Sequence, residues 1–258
     1  MNNIIKQLNW KHLLYDFFLL HIIVIISMSL RAYKIDTVPG YEWDETVYSS
    51  IANNYVDLKY PAIKLEGSQG YGPYLYHPPF DFKLKSMVFE STGLNSITGG
   101  RIVSLMASAI TLLLVYFFIK NLANSRAAIV LISLLATDGW LIYTNRLNLM
   151  ENITILLGVL TMAFYSYTLK ARNKSLFIIS GILIALVVIY KHTGIYFLLI
   201  PFINYYLTKK DGNKLKYLYL SALIVISIYV IMMYSTYGNV YIDQTLVQVK
   251  RTLGIFSA

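Results

Sequence analysis

From Ile102 to Ile119 the chain carries no charged residue, and six further segments approach the same pattern. About 20 apolar residues cross a bilayer. A backbone placed in lipid must also satisfy its own hydrogen bonds, which restricts such runs to helices or closed barrels. Of the 258 residues 57% are hydrophobic and only 14% charged, against about 25% charged in soluble domains. The chain therefore reads as an all-α polytopic membrane protein. Expected spans are 13–30, 102–119, 127–144, 152–169, 176–190, 193–207 and 217–236, the fifth and sixth being short and in need of tilt or extension. The first span has no small-x-small cleavage site after Met28, so it reads as a retained helix rather than a signal peptide.

Charge gives the expected orientation. Lys6 and Lys11 precede the first span, Lys120 and Arg126 bracket the second connection, and Lys170, Arg172 and Lys174 fill the fourth. Lys209, Lys210, Lys214 and Lys216 fill the sixth. These are alternate connections, so the positive-inside rule places them and the amino terminus in the cytoplasm. The polar segment 31–100, with Asp36, Glu42, Asp44, Glu45, Asp57, Glu66, Asp81 and Glu90, falls outside. The net charge of +9 is thus an orientation signal and not a nucleic-acid footprint. With no cysteine, disulfides, thiolate metal sites and cysteine nucleophiles are excluded.

A loop as long as 31–100 is a functional feature by default. Glu45 to Val56 has helical spacing, with Val47, Ile51, Ala52 and Tyr55 on one face, and predicts an amphipathic helix at the interface. Residues 83–92 predict a second, with Leu84, Met87 and Val88 toward lipid. Pro61 ends the first region and Gly67 to Pro73 reads as a flexible turn. Tyr41, Tyr48, Tyr55, Tyr60, Tyr71, Tyr74 and Tyr76 suit an interfacial belt or sugar stacking. No internal repeat is visible. The tail, 237–258, is mildly polar, and a further carboxy-terminal portion is expected to be missing or absent.

Several residues could carry chemistry, each with a plainer alternative. Asp44 and Glu45 follow Trp43 directly; two adjacent carboxylates suit a general base acting on an alcohol, or the acidic first turn of a helix. His77 is held extended by Pro78 and Pro79, either to donate to a phosphate or sugar hydroxyl or simply to shape a loop. Asp138 lies inside a span, where a carboxylate calls for a partner. Arg146 is that partner or a phosphate ligand, its planar fork matching phosphate oxygens, and Glu151 follows it. A structural ion pair locking two helices is the alternative. Lys191 and His192 sit at the outer end of the fifth span, against the orientation trend, to hold a lipid phosphate or to snorkel. Arg101, opening the second span, invites the same two readings. His21 reads as a packed, hydrogen-bonded histidine.

Taken in order, Trp43-Asp44-Glu45, His77-Pro78-Pro79, Arg101-Ile102-Val103-Ser104, Asp138 with Arg146 and Glu151, and Lys191-His192-Thr193-Gly194 resemble the protein O-mannosyltransferase family and its GT-C relatives, which include lipid A aminoarabinose transferases. The resemblance covers about Trp43 to Tyr196. It departs from the family pattern at Phe80-Asp81-Phe82, where Leu-Gly-Lys is expected and Lys83 is displaced, at Glu151 in place of Asp, and at His192 in place of Trp. It implies a GT-C-like bundle of about seven transmembrane helices, a single module over 1–258 with a catalytic extracytoplasmic loop. It also implies an inverting transferase that takes a sugar, mannose-like, from a polyprenyl or dolichyl phosphate to a hydroxyl acceptor, protein Ser/Thr or a glycan. Neither cofactor nor required metal is implied.

In that reading Asp44 is the base, with Glu45 beside it. Arg146, Lys191 and Arg101 bind the donor phosphate, and His77, Trp43, Asp138, Glu151 and His192 position substrate. The membrane is the plasma membrane of a prokaryote, or the endoplasmic reticulum of a eukaryote. Two rivals remain open: a small multi-pass transporter, which would place charges at mid-depth in several spans, and a non-catalytic relative that binds lipid.

Overall fold

The computed structural model describes residues 10–64, 70–208, 212–252 and 254–255; Lys6, Glu66, Gly67, Lys209 and Lys210 lie outside them. Each expected span is helical, but the segments differ in kind. Helices α1 (Trp10–Ala32), α4 (Ser96–Leu122), α7 (Met150–Ala171) and α10 (Gly212–Tyr237) are long and apolar enough to cross a membrane. The expected third span is two helices, α5 (Ser125–Thr137) and α6 (Gly139–Asn145), bent by 65° at Asp138. The fifth, α8 (Lys174–Tyr190), has 17 residues. The sixth begins as a 3-10 helix, His192–Leu198, and continues as α9 (Leu199–Thr208). By length and composition four helices could cross a membrane, or five with the bent pair, and the fifth and sixth expected spans are the short apolar pieces.

Local chemistry sets the helix ends. Asn95, Asn124 and Asn173 each turn a side-chain oxygen onto a free backbone N–H at the start of α4, α5 and α8, the ordinary role of an N-cap. The bend at Asp138 has a different origin. Its backbone is extended, and its carboxylate accepts from Leu141 N at 2.7 Å, so Asp138 caps α6 while ending α5. The last carbonyls of α5 have no partner within the helix and need donors. Arg31, fully buried on α1, supplies them at 3.0 Å to Leu135 O and 2.8 Å to Ala136 O, and holds Asn145 Oδ1 at 3.1 Å. Asp138 is accordingly an exposed cap and not a carboxylate buried in a span.

The segment 31–100 folds onto one end of the bundle. Both surface helices form, as α2 (Trp43–Leu58) and α3 (Phe80–Thr92). Proline at the start of α3 costs no hydrogen bond and fixes φ, so the His-Pro-Pro turn is the entrance to a helix. Tyr48, Ile51 and Ala52 of α2 pack with Phe82 and Phe89 of α3 and Met150 at the tip of α7; Leu84 and Met87 stay on the exposed side as expected, but Val88, expected beside them, packs against this cluster. The described end of the expected flexible turn is instead a strand, β2 (Tyr71–Pro73), paired antiparallel with β1 (Ala62–Lys64), Ala62 opposite Pro73. The tail also has structure: α11 (Asn239–Thr252) turns back after Gly238, whose φ of +57° glycine adopts without strain.

Candidate functional site

The end of the bundle covered by α2 and α3 brings together most of the residues singled out above. Asp44 and Glu45 start α2 side by side, and the helix points them apart. Glu45 is fully buried: its oxygens accept from Arg101 Nε at 2.7 Å and Nη2 at 2.6 Å, and from Asn148 N at 2.8 Å. Asp44 is exposed, with no hydrogen bond or ion pair to its carboxylate among the described residues. It lines a cavity of about 580 Å³ together with Glu42, Trp43, Trp140, Tyr143 and Leu149. The bend at Asp138 turns α6 so that Trp140 and Tyr143 reach this cavity, and Tyr143 donates its hydroxyl proton to Glu42. Trp43 and Trp140 are each at least 70% exposed, two flat apolar faces beside a free carboxylate.

The expected cationic cluster divides. Arg101 is buried in its pairing with Glu45 and donates its remaining N–H groups to Ile35 O at 2.8 Å and Pro39 O at 3.1 Å. Arg146 donates to the carbonyls of Leu30, Tyr33 and Val38, the last at 2.6 Å from Nη2. Neither guanidinium is open to a phosphate here. Both tie the link between α1 and α2 to the bundle, and Arg146 pairs with neither Asp138 nor Glu151. The cation beside Glu151 is Lys191, which donates to its carboxylate. Five donors in a fork make arginine the better strut, and a single ammonium the more easily redirected ligand.

His77 sits between these groups. Its Nε2 lies 3.2 Å from Tyr48 Oη, and the two rings meet edge to face at 5.6 Å. Burial pushes its imidazolium down to about 4, and the fields of Lys191, His192 and Arg251 act in the same direction while Glu151 opposes them. Tyr48 is pushed up by its burial and by the nearby negative charges of Asp44 and Glu151. Tyr48 thus lies in the field of Asp44 and Glu151, and His77 in that of Glu151, Lys191 and His192. His192 adds a buried Nδ1 without a hydrogen-bond partner among the described residues. Groups that hold such an array can orient an anionic leaving group and a nucleophile. Among the described residues no cluster of side chains suits a metal ion.

Sequence reasoning passed over several supports. Asn148 is fully buried and donates from Nδ2 to Ser49 at 2.7 Å. The trace it left is Gly100, where a Cβ would lie 2.1 Å from Asn148 Cγ. Asp81 and Lys85, both fully buried, pair at 2.6 Å, and Tyr190 donates to Asp81. Their i,i+4 spacing on α3 was legible, and the buried lysine after the prolines is Lys85 while Lys83 is exposed.

A profile of the dolichyl-phosphate-mannose-protein mannosyltransferase family matches residues 76–234. No curated protein sequence matches the chain. Among solved structures, the archaeal oligosaccharyltransferase AglB from Archaeoglobus fulgidus, in complex with an inhibitory peptide and a dolichol-phosphate, superposes with a TM-score of 0.64 at 16% identity, covering 96% of this chain and 35% of that one. The apo form of the Archaeoglobus fulgidus oligosaccharyltransferase gives 0.62 at 17% identity, covering 94% and 34%. The same enzyme tethered to an acceptor peptide containing the NVT sequon gives 0.54 at 16%, covering 93% and 37%. The chain spans about a third of the length of these structures. At such identities the likeness establishes the fold, a GT-C-like membrane bundle.

Proposed function

Because the chain belongs to the dolichyl-phosphate-mannose-protein mannosyltransferase family, we propose that it is the membrane module of an inverting glycosyltransferase. Its donor is a polyprenyl or dolichyl phosphate sugar, mannose by family, and its acceptor a hydroxyl of protein Ser/Thr or of a glycan. The observation that carries this reading is the free Asp44 carboxylate opening on the cavity between Trp43 and Trp140. Orientation follows from the basic connections, which put the covered end of the bundle outside the cytoplasm.

In the reaction the acceptor oxygen attacks the anomeric carbon while the bond from that carbon to the phosphate oxygen breaks. The hydroxyl proton goes to Asp44 and prenyl phosphate leaves. One displacement inverts the centre, so a single base suffices and no carboxylate nucleophile is needed. Lys191, released from Glu151, neutralises the leaving phosphate, and such a preset cation stabilises developing charge. Neutral His77 and the unpaired Nδ1 of His192 hold substrate hydroxyls. Glu45, Arg101 and Arg146 are positioning residues that fix α2 and hence Asp44. Trp43 and Trp140 flank the acceptor.

A second acceptor class is favoured by the solved structures, which are oligosaccharyltransferases, one holding an NVT sequon. The test is transfer from a radiolabelled polyprenyl phosphate mannose in lipid nanodiscs, to peptides bearing Ser/Thr, an Asn sequon, or neither. Asp44→Asn is expected to abolish transfer. Full transfer by that variant would remove Asp44 as the base, and labelling only of the sequon would change the acceptor.

A further inference from the structure

The family match ends at residue 234, before α11 begins at Asn239, yet α11 returns to the strand that leads into His77. Gln244 makes two bonds there. Its Oε1 accepts from Leu75 N at 2.6 Å, and its Nε2 donates to Pro73 O at 2.9 Å. Tyr241, one turn earlier, is buried with Leu75 against Ile189, Tyr229 and Met233. The Arg251 guanidinium lies 5.6 Å over the Tyr76 ring. Residues 241, 244 and 251 share one face of α11, and they meet Leu75, then Pro73 with Leu75, then Tyr76, on the path to His77.

The physical need for this contact is plain. A two-stranded hairpin is marginal by itself. Its outer edge leaves backbone donors and acceptors that must find partners. One carboxamide supplies both an acceptor and a donor, as a third strand would; leucine supplies neither and glutamate lacks the donor. We propose that Gln244 is a positioning residue of the active site, holding the Pro73–Tyr76 segment so that His77 keeps its place against Tyr48, and that α11 is therefore a working part of the chamber. The inference rests on the glycosyl-transfer reading for its consequence, though not for its geometry.

The chain in nanodiscs, as wild type, Gln244→Leu and Gln244→Glu, distinguishes the two. Amide hydrogen exchange over residues 71–80 reads the geometry. Transfer from polyprenyl phosphate mannose, followed as kcat and KM per folded protein, reads the consequence. In Gln244→Leu, exchange at Leu75 and its neighbours is expected to rise about tenfold or more, the scale of two lost hydrogen bonds, with exchange in α4 and α7 unchanged. The value of kcat falls about tenfold, donor KM stays within about twofold, and Gln244→Glu lies between. Unchanged exchange at 71–77 overturns the proposal, and so does raised exchange with wild-type kcat. Loss of protection throughout the bundle would make Gln244 a general stability residue and overturn it as well. If the wild-type chain transfers nothing, the glycosyl-transfer reading fails, and the exchange result alone decides whether Gln244 holds the strand.

Discussion

Glu45 and Arg101, 56 residues apart in sequence, form a two-pronged ion pair with both side chains fully buried. It joins the first turn of α2 to the first turns of α4 and places Asp44, the preceding residue, at the cavity. Breaking a buried pair from one side strands a charge and costs about 3–5 kcal/mol. Glu45→Gln and Arg101→Met should each lower the thermal midpoint of the detergent-solubilised protein by a large step. The double variant Glu45→Gln/Arg101→Met should recover part of the loss, and only part, because Arg101 also holds the carbonyls of Ile35 and Pro39. Losses in the two single variants that simply add in the double variant would contradict a coupled pair.

Asp44 should behave in the opposite way. With its carboxylate exposed and unpaired, Asp44→Asn is expected to leave the melting temperature within about 1 °C, since surface changes rarely exceed ~0.5 kcal/mol. Transfer should fall by about 10²–10⁴-fold, the range a general base contributes. A loss of activity that tracks a loss of stability would assign Asp44 to the scaffold.

His77 sets a pH window. Its folded value is held near 4 and its unfolded value is 6.5, so between these the unfolded chain binds more protons. Stability contributed by neutral His77 is complete above pH 6.5 and is lost as pH falls toward 4, by at most about 3 kcal/mol. Melting curves from pH 7.5 to 4 should show this slope in the wild type and a shallower one in His77→Gln. Parallel curves would mean His77 titrates normally in the fold.

Gly181 on α8 meets α10 with no room between them: a Cβ would lie 2.1 Å from Leu218 O and from Ser221 Oγ. Small residues allow membrane helices to approach this closely. Gly181→Ala must push backbone from backbone, and overpacking of that kind costs about 1–3 kcal/mol. Reduced thermal stability is expected, with Lys191 displaced at the end of α8 and donor KM raised. A variant as stable and active as wild type would show that α8 and α10 slide apart freely.

Removal of Arg31 tests the bend. Arg31→Met keeps the apolar stem and deletes the donors to Leu135 O, Ala136 O and Asn145. Buried acceptors left without partners cost about 1–3 kcal/mol each. The protein should lose stability and, since α6 carries Trp140 and Tyr143 to the Asp44 cavity, acceptor KM should rise more than donor KM. An unaltered acceptor KM would separate the bend from substrate binding.

What the sequence determined by itself is what short-range physics determines. Long uncharged runs gave helices, and the spacing of Val47, Ile51, Ala52 and Tyr55 gave α2. The order of motifs gave the family. Partner choice among charged groups was a matter for the tertiary structure alone. Asp138 and Arg146, eight residues apart, read as a pair, but the fold aims one at a helix start and the other at three carbonyls. Glu45, the twin of Asp44 in sequence, is buried because successive residues of a helix point about 100° apart. The Tyr190–Asp81 bond, the Gln244 contact and the return of α11 join residues up to 171 positions apart, and no local pattern encodes such distances. Desolvation made the choice: once the bundle closes, each buried charge must take the nearest partner the backbone offers, and that is a property of the closed structure.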